Sequence, residues 1–130
     1  MRIDPGAHAA ATSRGRWQSF IHALAGILYA FRHQRNTWIM AVATVVMVAA
    51  GVWLEIGRIE WSILVLATGV VWVAEFLNSA IEAAVDVASP DLHPMAKVAK
   101  DVAAGAVLTA SFVALLVAIV IFGPELVDRL

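Results

Sequence analysis

Three carboxylates and an amide stand inside an otherwise apolar run, Glu75-Phe76-Leu77-Asn78-Ser79-Ala80-Ile81-Glu82-Ala83-Ala84-Val85-Asp86, and any fold for this chain has to house them. On a helix each residue advances about 100° and ~1.5 Å, which gathers Glu75, Asn78, Glu82 and Asp86 into an arc of roughly 80° over about 16 Å of axis. They form one polar stripe. An acid at the centre of a membrane-spanning helix costs about 2.5–3.5 kcal/mol on insertion scales, so the stripe cannot face acyl chains without a partner, a metal or water. A functional site within a membrane protein is the direct inference. A hydrogen-bonded seam between helices, or acids sitting at the water interface, is the plainer alternative.

Composition supports the membrane. Of 130 residues, 62% are apolar and 15% charged, too apolar a balance for a soluble domain of this size. The net charge of −1 gives no basic footprint for nucleic acid, and no P-loop or basic aromatic module is present. With no cysteine, disulfides and thiolate metal sites are excluded. Residues 1–15 are rich in Ala, Ser and Arg and lack an apolar h-region, so they read as a disordered tail and not as a signal peptide.

Along the rest of the chain, residues 16–130 read as a single membrane-embedded domain. Trp17, Phe20, Ile21, Leu24, Ile27, Leu28 and Phe31 recur at helical spacing, which predicts an amphipathic helix over about 16–34, flanked by Arg14, Arg16, Arg32 and Arg35. Such a helix suits the membrane interface, or a lid on the other helices. Three spans follow, over about 37–56, 60–88 and 95–122, the last carrying no charge from Val102 to Phe122. Trp53 and Trp61 bracket the first turn and fit an aromatic belt. Ser89-Pro90-Asp91 breaks the second span, and His93-Pro94 opens the third helix. Of nine Lys and Arg, seven precede the first span or lie between the second and third, which predicts a cytoplasmic N-terminus and second loop. Glu82 and Asp86 then open toward the cytoplasm, and a lipid can reach Glu75 from the side. Three spans make a thin bundle for so long a stripe, so an oligomer is expected. Ala106, Ala110, Ala114 and Ala118 form a small-residue ridge on which another helix could pack.

Near the inner interface the stripe meets Lys97, Lys100 and Asp101, which share one helix face. Carboxylates suit Mg²⁺ and a lysine near a helix start suits phosphate, so the cluster can hold a metal–nucleotide; a cytoplasmic charge anchor is the alternative. Neither the Walker A pattern nor the protein-kinase signature set is present.

The run from Glu75 to Asp86, with His93-Pro94-Met95-Ala96-Lys97-Val98-Ala99-Lys100-Asp101 and the residues up to Leu108, resembles the bacterial integral-membrane diacylglycerol kinase and undecaprenol kinase family. The resemblance extends from about Trp17 to Phe122. Pro90, His93-Pro94 and Ala103-Ala104-Gly105-Ala106 look more like the undecaprenol kinase branch. What the resemblance implies is an all-α homotrimer of three-span subunits, each preceded by a surface helix, in the bacterial cytoplasmic membrane. It further implies transfer of the γ-phosphoryl group of Mg-ATP to a lipid hydroxyl, of undecaprenol first and diacylglycerol as the alternative. Carried over by position, Glu75 would be the general base in contact with the lipid hydroxyl, Asn78 would orient it or the phosphate, and Glu82 would bind Mg²⁺ beside the nucleotide. Lys100 would contact the phosphates with Asp101 in support, and His93 and His22 would lie near the nucleotide. One position departs from the family: Gln34 stands where a second metal-binding glutamate is usual, keeping a carbonyl oxygen and losing the charge. Two readings of other classes also fit the residues. A proton or cation pathway would use the ladder of acids, although Trp61 to Ala74 offers no ionisable side chain to continue it, and a non-catalytic assembly protein would use the acids as a seam.

Overall fold

A computed structural model describes residues 5–91 and 93–130, with side chains described from residue 15 onward. The described residues form four helices and no strand: α1 (Pro5–His33), α2 (Arg35–Trp53), α3 (Arg58–Ala88) and α4 (Pro94–Arg129). By length and apolarity α2, α3 and α4 can each cross a bilayer, giving an all-α membrane protein with three spans. Residues up to Arg35 and residues from Asn36 onward make two compact units.

In the first unit α1 starts at Pro5, ahead of the expected start near residue 16. Proline suits the first turn of a helix, and the alanines at 7 and 9–11 have the highest helix propensity, so a segment expected to be a disordered tail is helical from Pro5; residues 1–4 of that tail lie outside the described residues. Trp17, Phe20, Ile21, Leu24, Ile27 and Leu28 are exposed along α1, an apolar face of the kind that lies against lipid. His33 and Tyr29 stack with ring centroids 4.3 Å apart at the helix end.

Helix α2 ends in a Schellman cap. The Ile56 N–H donates to the Gly51 carbonyl (3.2 Å) and the Glu55 N–H to that of Val52 (3.2 Å), with Glu55 in the left-handed region at φ 55°. A glycine normally fills that position. Helix α3 opens at Gly57, over which the Glu60 carboxylate folds back so closely that a Cβ there would lie 2.5 Å from Oε2. At its other end Ser89 precedes Pro90, whose ring pushes it out of the helical region. Helix α4 is capped by His93, whose Nδ1 accepts the Met95 N–H at 3.1 Å, and Pro94 occupies the first turn.

Among the described residues, close backbone packing between helices is that of α3 on α4. Helix α2 joins them through side chains: Leu54, Ile56 and Leu64 form the buried cluster, against which Met47, Trp61, Val117, Ile121 and Phe122 pack. Trp61 is half-buried against this cluster. The two tryptophans of the expected belt differ in setting: the Trp61 ring sits so tightly on Gly51 that a Cβ there would lie 2.8 Å from it, whereas Trp53 is exposed. Nearer mid-span the Trp72 Nε1–H donates to Thr44 Oγ1 (3.1 Å), a polar tie from α3 to α2. Helix α4 runs beyond the expected end at Phe122, through Pro124 to Arg129. Its last turn is held by the α2–α3 turn, where Arg129 lies 3.6 Å from the Glu55 carboxylate and 5.7 Å from the centroid of Trp53. The alanine ridge is shared out: Ala106 and Ala110 line a groove against α3, and Ala114 and Ala118 line a cleft of about 520 Å³ that α2 also borders.

Candidate active site

The polar stripe on α3 is graded. Glu75 is 2% exposed and Asn78 8%, Glu82 is half-buried, and Asp86 is exposed. The order follows from position, since Asp86 lies two residues from the helix end and Glu75 lies about three turns further in. Asn78 Nδ2 donates to Glu82 Oε1 at 3.2 Å, so the amide nitrogen faces the outer acid. Its own oxygen, Oδ1, and Glu75 Oε2 are both buried with no hydrogen-bond partner among the described residues. Ser79 does not relieve them, because its Oγ donates to the backbone carbonyl of Glu75 (2.8 Å). Two buried, unpaired oxygens one turn apart are costly to a fold and available to a ligand, which could bring a hydroxyl, a proton or a cation.

Basic groups arrive from α4. Lys100 Nζ donates to Asp86 Oδ1, fastening the start of α4 to the outer end of the stripe. Lys97 instead pairs with Asp101 on its own helix (2.6 Å), with both side chains well exposed. Asp101, expected to support Lys100, stands in an i,i+4 pair with Lys97, the spacing at which oppositely charged helix residues meet most readily. The structure brings Glu75, Asn78, Glu82, Asp86 and Lys100 into one continuous series across two helices. His93 stands at the α4 cap, where its Nδ1 acts as acceptor, leaving the neutral ring with its proton on Nε2. His22 is exposed on α1, and Gln34, half-buried, follows that helix with its N–H on the Ala30 carbonyl (3.0 Å); both belong to the N-terminal unit. Among the described residues no three His, Asp or Glu side chains converge as a ready-made metal cage. The sequence places the outer end of the stripe beside Lys97, Lys100 and Asp101, and what it does not specify is the pairing, in which Asp86 and not Glu82 receives Lys100.

The sequence pattern of prokaryotic diacylglycerol kinases matches residues 21–122, which contain the whole of this series. This chain belongs to the prokaryotic diacylglycerol kinase family. It is a lipid kinase, and as a kinase it draws on ATP. Among similar proteins, an undecaprenol kinase of Bacillus subtilis is 39% identical over 110 residues, covering 85% of this chain and 89% of the relative. A diacylglycerol kinase of Synechocystis is 41% identical over 100 residues, and this chain spans little more than half of it (76% of this chain, 57% of the relative). A diacylglycerol kinase of Escherichia coli K12 is 34% identical over 95 residues, with 68% and 78% covered. Membership in a family of lipid kinases sets aside the proton-pathway and assembly-protein readings of the stripe.

Proposed function

We propose that this kinase transfers the γ-phosphoryl group of ATP to the hydroxyl of undecaprenol, with Glu75 as the general base. The observation that carries the reading is the buried Glu75 Oε2, which no described protein group satisfies, on the same helix face as a series of polar groups ending at an ammonium. A lipid hydroxyl presented from the bilayer supplies the missing hydrogen bond, and Glu75 takes its proton as the alcohol oxygen bonds to the γ-phosphorus and the bond to ADP breaks. Asn78, fixed by Glu82 through its Nδ2, aims Oδ1 into the same buried space and orients the acid or the phosphoryl group. Lys100 neutralises charge on the phosphates, and Asp101 and the Nε2–H of His93 border the nucleotide. By the resemblance in sequence, His22 would serve the nucleotide as well. Positioning and neutralisation account for most of the acceleration in such transfers, with the base contributing a smaller share.

Mg²⁺ fits the donor set. A magnesium ion needs one or two carboxylates plus phosphate oxygens and water, not a full protein cage, and the half-buried Glu82 beside the unpaired Asn78 Oδ1 offers oxygen donors of the right kind. Glu82 would hold the ion, with Gln34 contributing a carbonyl oxygen. Bound there, it would neutralise the β- and γ-phosphates.

A homotrimer in the bacterial cytoplasmic membrane, with the N-terminus and second loop on the cytoplasmic side, completes the reading. It is supported by the lysine and arginine distribution and by the apolar groove that α3 and α4 leave beside Asn78. Diacylglycerol is the second acceptor, favoured by the names of the Synechocystis and E. coli relatives. The deciding assay offers labelled ATP and Mg²⁺ with each lipid side by side in mixed micelles. Transfer to undecaprenol, lost in Glu75→Gln while the protein stays assembled, is the expected result. Activity retained by that variant would remove Glu75 from its role, and exclusive transfer to diacylglycerol would replace the acceptor.

A further inference from the structure

We propose that Asp86 is a positioning residue that holds the Lys100 ammonium one helical turn from Glu82, so that the triphosphate meets a fixed cation next to the metal-binding acid. The proposal rests on the reading above in which Lys100 contacts the nucleotide. Asp86 follows Glu82 by four residues, so the two share a face of α3 about 6 Å apart along the axis. Lys100 reaches across from α4 to Asp86 Oδ1 and is the more covered member of the pair, 37% exposed against 64%. Its neighbour Lys97 is engaged within α4 by Asp101, so of the two lysines it is Lys100 that is turned onto α3.

The chemistry gives Asp86 a reason to be there. An ammonium on a four-carbon stem has three donors and large rotamer freedom, and a nucleotide that had to gather it from solution would lose binding energy in ordering it. One donor placed on Asp86 fixes the stem and leaves two for phosphate oxygens. Asp86 never touches the reacting atoms. It acts through Lys100, and its removal therefore weakens capture of ATP more than the chemical step.

Steady-state kinetics of the full-length protein in lipid micelles, with ATP varied at saturating Mg²⁺ and then lipid varied, test this directly. Asp86→Asn is expected to raise KM for ATP about two- to fivefold, the range set by a partly exposed ion pair, with kcat and KM for the lipid changed less than twofold. Asp86→Glu, which keeps the charge, should recover KM for ATP, a rescue that a merely structural role does not require. If the Asn variant fails to assemble, Asp86→Ser is read in its place. Combined with Lys100→Gln, the Asp86 change should add nothing further to KM. An unchanged or lowered KM in Asp86→Asn, alongside a raised KM in Lys100→Gln, overturns the role of Asp86 alone. An unchanged KM in Lys100→Gln overturns the underlying assignment of Lys100 instead.

Discussion

Glu75→Met separates a catalytic acid from a structural one, because the two roles require opposite changes in stability. Methionine has nearly the length and volume of glutamate, so the exchange leaves little cavity at a site that is 2% exposed. What it removes is a carboxylate whose Oε2 is buried without a partner. Leaving such a group unsatisfied costs about 1–3 kcal/mol, and more when it is charged. Its deletion should therefore stabilise the fold by about 1–3 kcal/mol, roughly 5- to 150-fold in the unfolding equilibrium. Turnover should fall to background. The assay is unfolding of the micelle-embedded protein by rising SDS mole fraction, followed by fluorescence of the five tryptophans, beside phosphoryl transfer on the same preparation. A loss of stability of similar size would show that Glu75 makes a favourable contact in the resting protein, and the argument from an unsatisfied oxygen would be wrong.

Three further outcomes follow from the structure. Gly51→Ala sets a methyl 2.8 Å from the rigid Trp61 ring and should destabilise by about 1–3 kcal/mol, measured as a lower midpoint of thermal inactivation, with KM for ATP unchanged. Glu55→Gly removes a left-handed non-glycine residue, worth about 1–2 kcal/mol, and gives up an exposed pair to Arg129 worth about 0–1 kcal/mol, so SDS unfolding should show a small net gain; a clear loss would mean that the Arg129 contact dominates. Gln34→Glu restores a charged oxygen donor and should lower the Mg²⁺ concentration for half-maximal activity, and an unaltered Mg²⁺ titration would exclude Gln34 from the metal's surroundings.

Periodicity carried much of this structure. The arc of Glu75, Asn78, Glu82 and Asp86 needs only the 100° step of a helix, and the breaks at Ser89-Pro90 and His93-Pro94 need only the stereochemistry of proline. Features that depend on three-dimensional neighbours were not legible. Nothing in the sequence says that the bare Cα of Gly51 receives the Trp61 ring, or that Lys97 takes Asp101 while Lys100 takes Asp86. The cap at Glu55 was hidden for another reason: a glutamate in the left-handed region gives none of the signal that a glycine would. Within the site, burial could be anticipated from the depth of each residue along α3, whereas the unpaired state of Glu75 Oε2 and Asn78 Oδ1 required knowing where the neighbouring donors point.

The length of α4 bears on where this enzyme can work. Thirty-six residues make a rod of about 54 Å, and even a 40° lean leaves it spanning about 41 Å, well beyond the hydrocarbon thickness of roughly 27–33 Å found in different biological membranes. The surplus of two turns or so is enough to lift Pro94 to Asp101 clear of the oil. Thickening the bilayer by a few ångströms would then submerge apolar residues of the rod while its lysines stay wet, so the nucleotide should find the same docking point in thin and thick membranes alike.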